Sequence, residues 1–259
     1  MTAEPARRPG LFTRHDGRDR VAVPLKDGVL SALGAAGIQI CVLFTALFIV
    51  IIAVFVTTHK QPSQNAGDPA FQAAVLLSYV AGGWFAWWRL RRGRPDAFHA
   101  FTRRDASTLL YGIGGLIVVN VLTSLLLNAT HQTKHVQTGF EHFDLSSKVP
   151  GVTALAVTLT VVSLVLVGPL VEEMVFRGLL FGALAPRIGV FAAAIIVAGL
   201  FGLVHGDLVL FPTLAGLGFV SALAYARSGN LWTSVTLHAL NNALGAGVLV
   251  AATLRHTHH

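Results

Sequence analysis

The chain has 259 residues, of which 54% are hydrophobic and only 12% charged, with a net charge of +7 and a mean hydropathy of +0.66. That is about half the charge of an average soluble protein, so the composition excludes a soluble globular class and reads as an integral membrane protein. The basic excess does not indicate nucleic-acid binding, because Lys and Arg flank apolar runs, where they set topology. The single cysteine, Cys41, excludes an intrachain disulfide.

Residues 1–29 carry Arg7, Arg8, Arg14, Arg18, Arg20 and Lys26 and read as a polar, basic cytoplasmic tail without a cleavable signal peptide. Three apolar spans are expected within residues 30–130: Ile38 to Val56, Phe71 to Leu90 and Ser107 to Leu127. Trp84, Trp87 and Trp88 close the second as an interfacial belt. Asn120 within the third reads as an interhelical hydrogen-bonding residue. Residues 131–150 are polar and read as an extracytoplasmic loop; the spacing of His131, His135 and His142 there fits no metal-ligand pair. Val152 to Leu170 is the fourth apolar run, and Pro169 should kink it and free carbonyls nearby. Ile188 to Val204, Leu208 to Tyr225 and Leu231 to Leu254 complete seven spans, and 255–259 is a frayed tail. Residues 1–29 and 89–104 hold six Lys or Arg each, which puts the N-terminus in the cytoplasm. The fold class is therefore an all-α bundle of about seven transmembrane helices.

Few strongly polar groups remain inside spans four to seven. Val171 to Gly178 reads V-E-E-M-V-F-R-G. Ionisable groups in hydrocarbon cost roughly 2.5–3.5 kcal/mol each on insertion scales, and so mark pairing or function. Glu173 and Arg177 are four apart and can pair on one helix face. Glu172 lies about 100° away round the helix and is left free to point elsewhere. Phe201 and His205 share a face one turn apart, as do His238 and Asn242.

This set suggests hydrolysis. A carboxylate and a histidine can bind a water and take its proton, while a second histidine and an asparagine amide can donate hydrogen bonds to an oxyanion. The same ligands could equally hold zinc, at Glu172, His205 and His238. Asn242→Ala should then slow cleavage severely and leave thermal stability nearly unchanged.

Glu172-Glu173-x-x-x-Arg177, Phe201-x-x-x-His205 and His238-x-x-x-Asn242, in that order on successive apolar helices, resemble the intramembrane CAAX protease and bacteriocin-processing family, also called Abi. The resemblance covers about residues 150–250 and makes 151–254 the catalytic core, in which four helices carry the site. It implies that Glu172 activates water with His205, that His238 and Asn242 form the oxyanion hole, and that Glu173, Arg177 and Phe201 support the site. The implied partner is a membrane-anchored peptide or protein in the lipid bilayer, and the sequence leaves both metal-free and zinc-assisted hydrolysis open. Alanine-, arginine- and glycine-rich usage points to a high-GC genome, and hence to a bacterial cytoplasmic membrane and to peptide leaders or membrane-protein tails rather than prenylated substrates. Two other readings use the same residues: a non-proteolytic scaffold or immunity protein of the same family, and an ion-coupled transporter. Transporters usually carry internal repeats, and none is evident.

Overall fold

A chain in hydrocarbon must satisfy its own backbone N–H and C=O groups, so the long apolar runs fold as helices. The computed structural model describes residues 23–58, 69–132 and 150–256; these are 88% helical and contain no strand. Seven helices follow in order: α1 (Leu25–Thr58), α2 (Pro69–Gly93), α3 (Arg103–Ala129), α4 (150–188), α5 (Val190–Val204), α6 (Phe211–Ser228) and α7 (Leu231–His256). Helix α4 is the centre, packing against α1, α2, α5, α6 and α7. Among the described residues, four segments are long and apolar enough to cross a membrane, Leu25–Ala53, Pro69–Gly93, Arg103–Ala129 and Val157–Ile188, while Val190–Val204 is apolar but shorter.

The distribution of side chains is that of a membrane bundle. Large apolar residues such as Phe44 (68% exposed), Leu110 (73%) and Leu244 (72%) face outward, while Glu173 and Arg177 are completely buried. Charges sit where neighbouring helices can compensate them, and hydrocarbon meets the apolar face.

Helix boundaries follow local chemistry. Helix α3 opens with a capping box in which the Thr102 side chain accepts from the Asp105 N–H and the Asp105 carboxylate accepts from the Thr102 N–H. Gly189, at φ 86°, separates α4 from α5, which moves the start of the expected fifth span from Ile188 to Val190. Helix α6 begins at Phe211 rather than at the expected Leu208. Gly206 turns at φ 69°, and Asp207 Oδ1 accepts from the N–H groups of Val209 and Leu210, both at 3.0 Å. That Asx turn uses up the residues before the helix.

Helix α1 includes the last residues of the segment read as the tail, 1–29. Helix α1 starts at Leu25 because its polar first turns dock on the bundle. Arg89 Nε donates to Ser31 Oγ at 2.7 Å, and Arg89 Nη2 lies 3.9 Å from Asp27 Oδ1. Residues 1–22, with five of the six expected basic residues of the tail, lie outside the described residues. So do His135 and His142 of the expected loop, and the terminal His258 and His259; His131 is described and exposed.

Gly28 shows how tightly α1 meets α4. A Cβ there would sit 2.5 Å from Ala183 Cβ and 2.9 Å from the Leu179 carbonyl oxygen. Neither group can swing aside. Gly28→Val should therefore lower stability by about 1–3 kcal/mol, the usual cost of overpacking, read as a lower thermal midpoint in detergent. An unchanged midpoint would show that α1 is not seated on α4.

Candidate active site

The polar centre is built on α4, whose α-helical hydrogen-bond register is interrupted twice. Val162–Val167 and Met174–Phe181 are π-helical, and between them lies a short α-helical stretch, Gly168–Glu173. Pro169 supplies the reason for the first. It has no N–H to give, and the Gly168 N–H reaches back five residues to the Ser163 carbonyl. The Leu164 carbonyl, five residues before Pro169, is left without that backbone donor. Asn242 Nδ2 on α7 donates to it at 2.9 Å. π-Helical turns of this kind recur at functional sites, and here two of them bracket both glutamates.

Glu173 and Arg177 pair, Oε1 to Nη1 at 2.9 Å, with neither side chain exposed. Arg177 Nη2 also donates to the Gly218 carbonyl on α6 at 3.0 Å. The guanidinium carbon lies 4.7 Å from the centroid of the Phe201 ring, a cation–π arrangement. One arginine thus ties α4 to α5 and α6.

His238 on α7 sits between the two glutamates. Its Nδ1 is 3.0 Å from Glu173 Oε1, and its Nε2 is 3.8 Å from Glu172 Oε2. An ionised carboxylate only accepts hydrogen bonds, so Nδ1 carries the proton and donates to Glu173. Nε2 is then the nitrogen that faces Glu172. A separation of 3.8 Å is too long for a direct hydrogen bond and is of the size a bridging water spans.

Glu172 is turned away from the Glu173–Arg177 pair, and its side chain keeps 19% exposure. Its second oxygen, Oε1, accepts a hydrogen bond from the Tyr79 hydroxyl on α2 at 2.9 Å. Tyr79 was not legible as a site residue. It lies 93 positions upstream in an apolar run, and one tyrosine there carries no spacing signal.

His205 closes α5. Its Nδ1 is 2.7 Å from the Phe201 carbonyl, to which it must donate. The Phe201 ring contacts both histidines, with centroids 4.8 Å from His205 and 5.5 Å from His238. No hydrogen bond or ion pair joins His205 to Glu172 among the described residues. The zinc expectation at Glu172, His205 and His238 meets the same geometry, since no three His, Cys, Asp or Glu side chains among the described residues gather closely enough to hold a metal.

Glu172, Glu173, Arg177, Phe201 and His238 are therefore one connected cluster; His205 joins it through Phe201, and Asn242 sits one turn beyond His238 on Leu164. The Asn242 contact corrects the expectation of neutral stability on truncation. Asn242→Ala orphans a carbonyl, which costs about 1–3 kcal/mol where it is buried. A cavity of about 260 Å³ lined by Val23, Asp27, Ser31, Arg89 and Arg92 lies elsewhere and shares no residue with this cluster.

Comparison with known proteins identifies relatives of the same kind. Residues 153–244 match the family described as type II CAAX prenyl endopeptidase, Rce1-like. The chain is 24% identical over 210 residues to YdiL of Bacillus subtilis (strain 168), whose name gives it provisionally as a membrane peptidase; the match covers 81% of this chain and 70% of YdiL. It is 37% identical over 83 residues to the membrane-embedded CAAX protease MroQ of Staphylococcus aureus (strain USA300), covering 30% of this chain and 34% of that protein. No solved structure matches the chain significantly. The matched family segment takes in every residue of the cluster on α4, α5 and α7 and leaves out α2, which bears Tyr79.

Proposed function

The chain is assigned, through residues 153–244, to the CAAX protease and bacteriocin-processing family of membrane peptidases, and on that premise we propose that it is an intramembrane endopeptidase in which Glu172 activates the hydrolytic water. The observation that carries this reading is the position of His238, held by Glu173 and facing Glu172 across 3.8 Å. A water between Glu172 Oε2 and His238 Nε2 can donate one hydrogen to each.

Glu172 takes the proton as the water oxygen attacks the scissile carbonyl, and general-base help of this kind is worth on the order of 10²–10⁴ in rate. His238 is kept in one tautomer by Glu173, which is in turn held by Arg177. A carboxylate that orients an imidazole in this way is the logic of the catalytic triad. Glu172 then passes the proton it has taken to Nε2, which delivers it to the leaving amine as the tetrahedral intermediate collapses. Asn242 uses one amide N–H on Leu164 and keeps the other for the oxyanion. His205 commits Nδ1 to the Phe201 carbonyl and takes no part in this scheme. The substrate is a peptide bond in a membrane-anchored peptide or protein, because the cluster lies within the apolar bundle. Leader peptides and membrane-protein tails fit that description. No step of this scheme uses a metal.

The test is cleavage of a peptide library tethered to a membrane anchor by purified protein in detergent, read by mass spectrometry. At least one member should be cut, and a chelator should leave the rate unchanged. Asn242→Ala should slow cleavage on the order of 10²–10³-fold, as loss of an oxyanion donor does, and lower the thermal midpoint as well. No cleavage of any member, together with ion flux in liposomes that Glu172→Gln abolishes, would replace this reading with a transporter. No cleavage and no flux would leave a non-proteolytic scaffold.

A further inference from the structure

Glu172 is restrained from a helix outside the matched family segment. Helix α2 reaches α4 through Gly83, where a Cβ would come 2.6 Å from Val171 Cγ2. That close approach brings Tyr79, one turn earlier on α2, over Gly168 and Glu172. A Cβ on Gly168 would lie 3.6 Å from Tyr79 Cζ, so the ring lies against the short stretch between the two π turns. The Tyr79 hydroxyl donates to Glu172 Oε1 at 2.9 Å.

A free glutamate has three rotatable bonds, and holding it in one geometry costs side-chain entropy. A base must also present its lone pair to the water rather than elsewhere. The Tyr79 hydrogen bond answers both requirements. Occupying Oε1 leaves Oε2, the oxygen that faces His238 Nε2, as the one open to a water. We propose that Tyr79 is the positioning residue of Glu172, so that the site is completed by α2 and not by the α4–α7 core alone. This rests on the reading that Glu172 activates the water. Gly83 acts with Tyr79, since it sets the distance from which the hydroxyl reaches.

The experiment compares wild type with Tyr79→Phe, which removes one oxygen and keeps the ring. On a cleaved anchored peptide, Tyr79→Phe should lower kcat roughly 10–100-fold, the scale of a misplaced catalytic group, with KM and thermal midpoint nearly unchanged. An unchanged kcat, or a loss carried by KM alone, overturns the proposal. A second readout needs no turnover: labelling of Glu172 by a lipid-soluble carbodiimide, followed by mass spectrometry, with buried Glu173 as the internal control. Tyr79→Phe should speed labelling of Glu172 several-fold and leave Glu173 unlabelled. Equal rates overturn the proposal even when wild type is active. Where wild type cleaves nothing, hydrolysis has failed by itself, and faster labelling still identifies Tyr79 as the group that restrains Glu172. Should Tyr79→Phe not survive extraction, Gly83→Ala tests the same contact, because its methyl must push Val171 and α2 apart with the hydroxyl in place. It should reproduce both effects.

Discussion

Glu172→Gln should lower cleavage of anchored peptides by on the order of 10²–10⁴ in kcat, in a protein that unfolds at the wild-type temperature. The reason lies in what the amide keeps and loses. Its carbonyl oxygen still accepts from the Tyr79 hydroxyl, which sits 2.9 Å away in the wild type, so the contact with α2 survives. The side chain is partly exposed, and replacing its charge by an amide leaves no buried charge behind. What disappears is the basic oxygen that takes the water's proton. Purified variant and wild type would be compared by single-turnover cleavage and by thermal unfolding in the same detergent. A folded Glu172→Gln protein that cleaves at the wild-type rate would move the base to His205 or His238.

Arg177→Met should have the opposite signature, a large loss of stability. Arg177 and Glu173 have no exposed side-chain surface, so removing the cation strands a carboxylate in a medium that cannot solvate it. Breaking one partner of a buried pair costs about 3–5 kcal/mol, and here the Gly218 carbonyl loses its donor as well. Glu173→Gln should destabilise less, because an amide oxygen still accepts from His238 Nδ1. The double variant Arg177→Met with Glu173→Gln should be more stable than the sum of the two single losses, since it leaves neither charge unpaired. Denaturant unfolding of the four proteins in detergent gives the cycle. Simple additivity would mean that the pair does not interact as its 2.9 Å geometry implies. Both single variants should also lose activity, as the support under the His238 ring is weakened in each.

Much of this architecture was written in composition and periodicity. Apolar runs of helix length can only be helices in a bilayer, so the bundle and its rough boundaries follow from residues alone. The Glu173–Arg177 pair was legible for the same reason: a four-residue spacing on one helix face is a local fact. The i,i+4 faces of Phe201 with His205 and of His238 with Asn242 were legible too. Local rules also predicted that Pro169 would release a carbonyl.

What they could not supply is any distance between helices. That His238 bridges the two glutamates, that Phe201 rather than Glu172 is the neighbour of His205, and that Asn242 caps Leu164 are all contacts across α4, α5 and α7. The π turns at Val162–Val167 and Met174–Phe181 shift the α4 register away from the 3.6-residue period on which sequence spacing is read. Tyr79 was the least visible, because its role depends on Gly83 admitting Val171 and on a 2.9 Å bond between residues 93 positions apart. Sequence by itself determined a helical membrane bundle with buried charge on its fourth helix. Only tertiary packing decided which oxygen of which glutamate faces the histidine, since that choice is made by groups that meet in space from helices far apart along the chain.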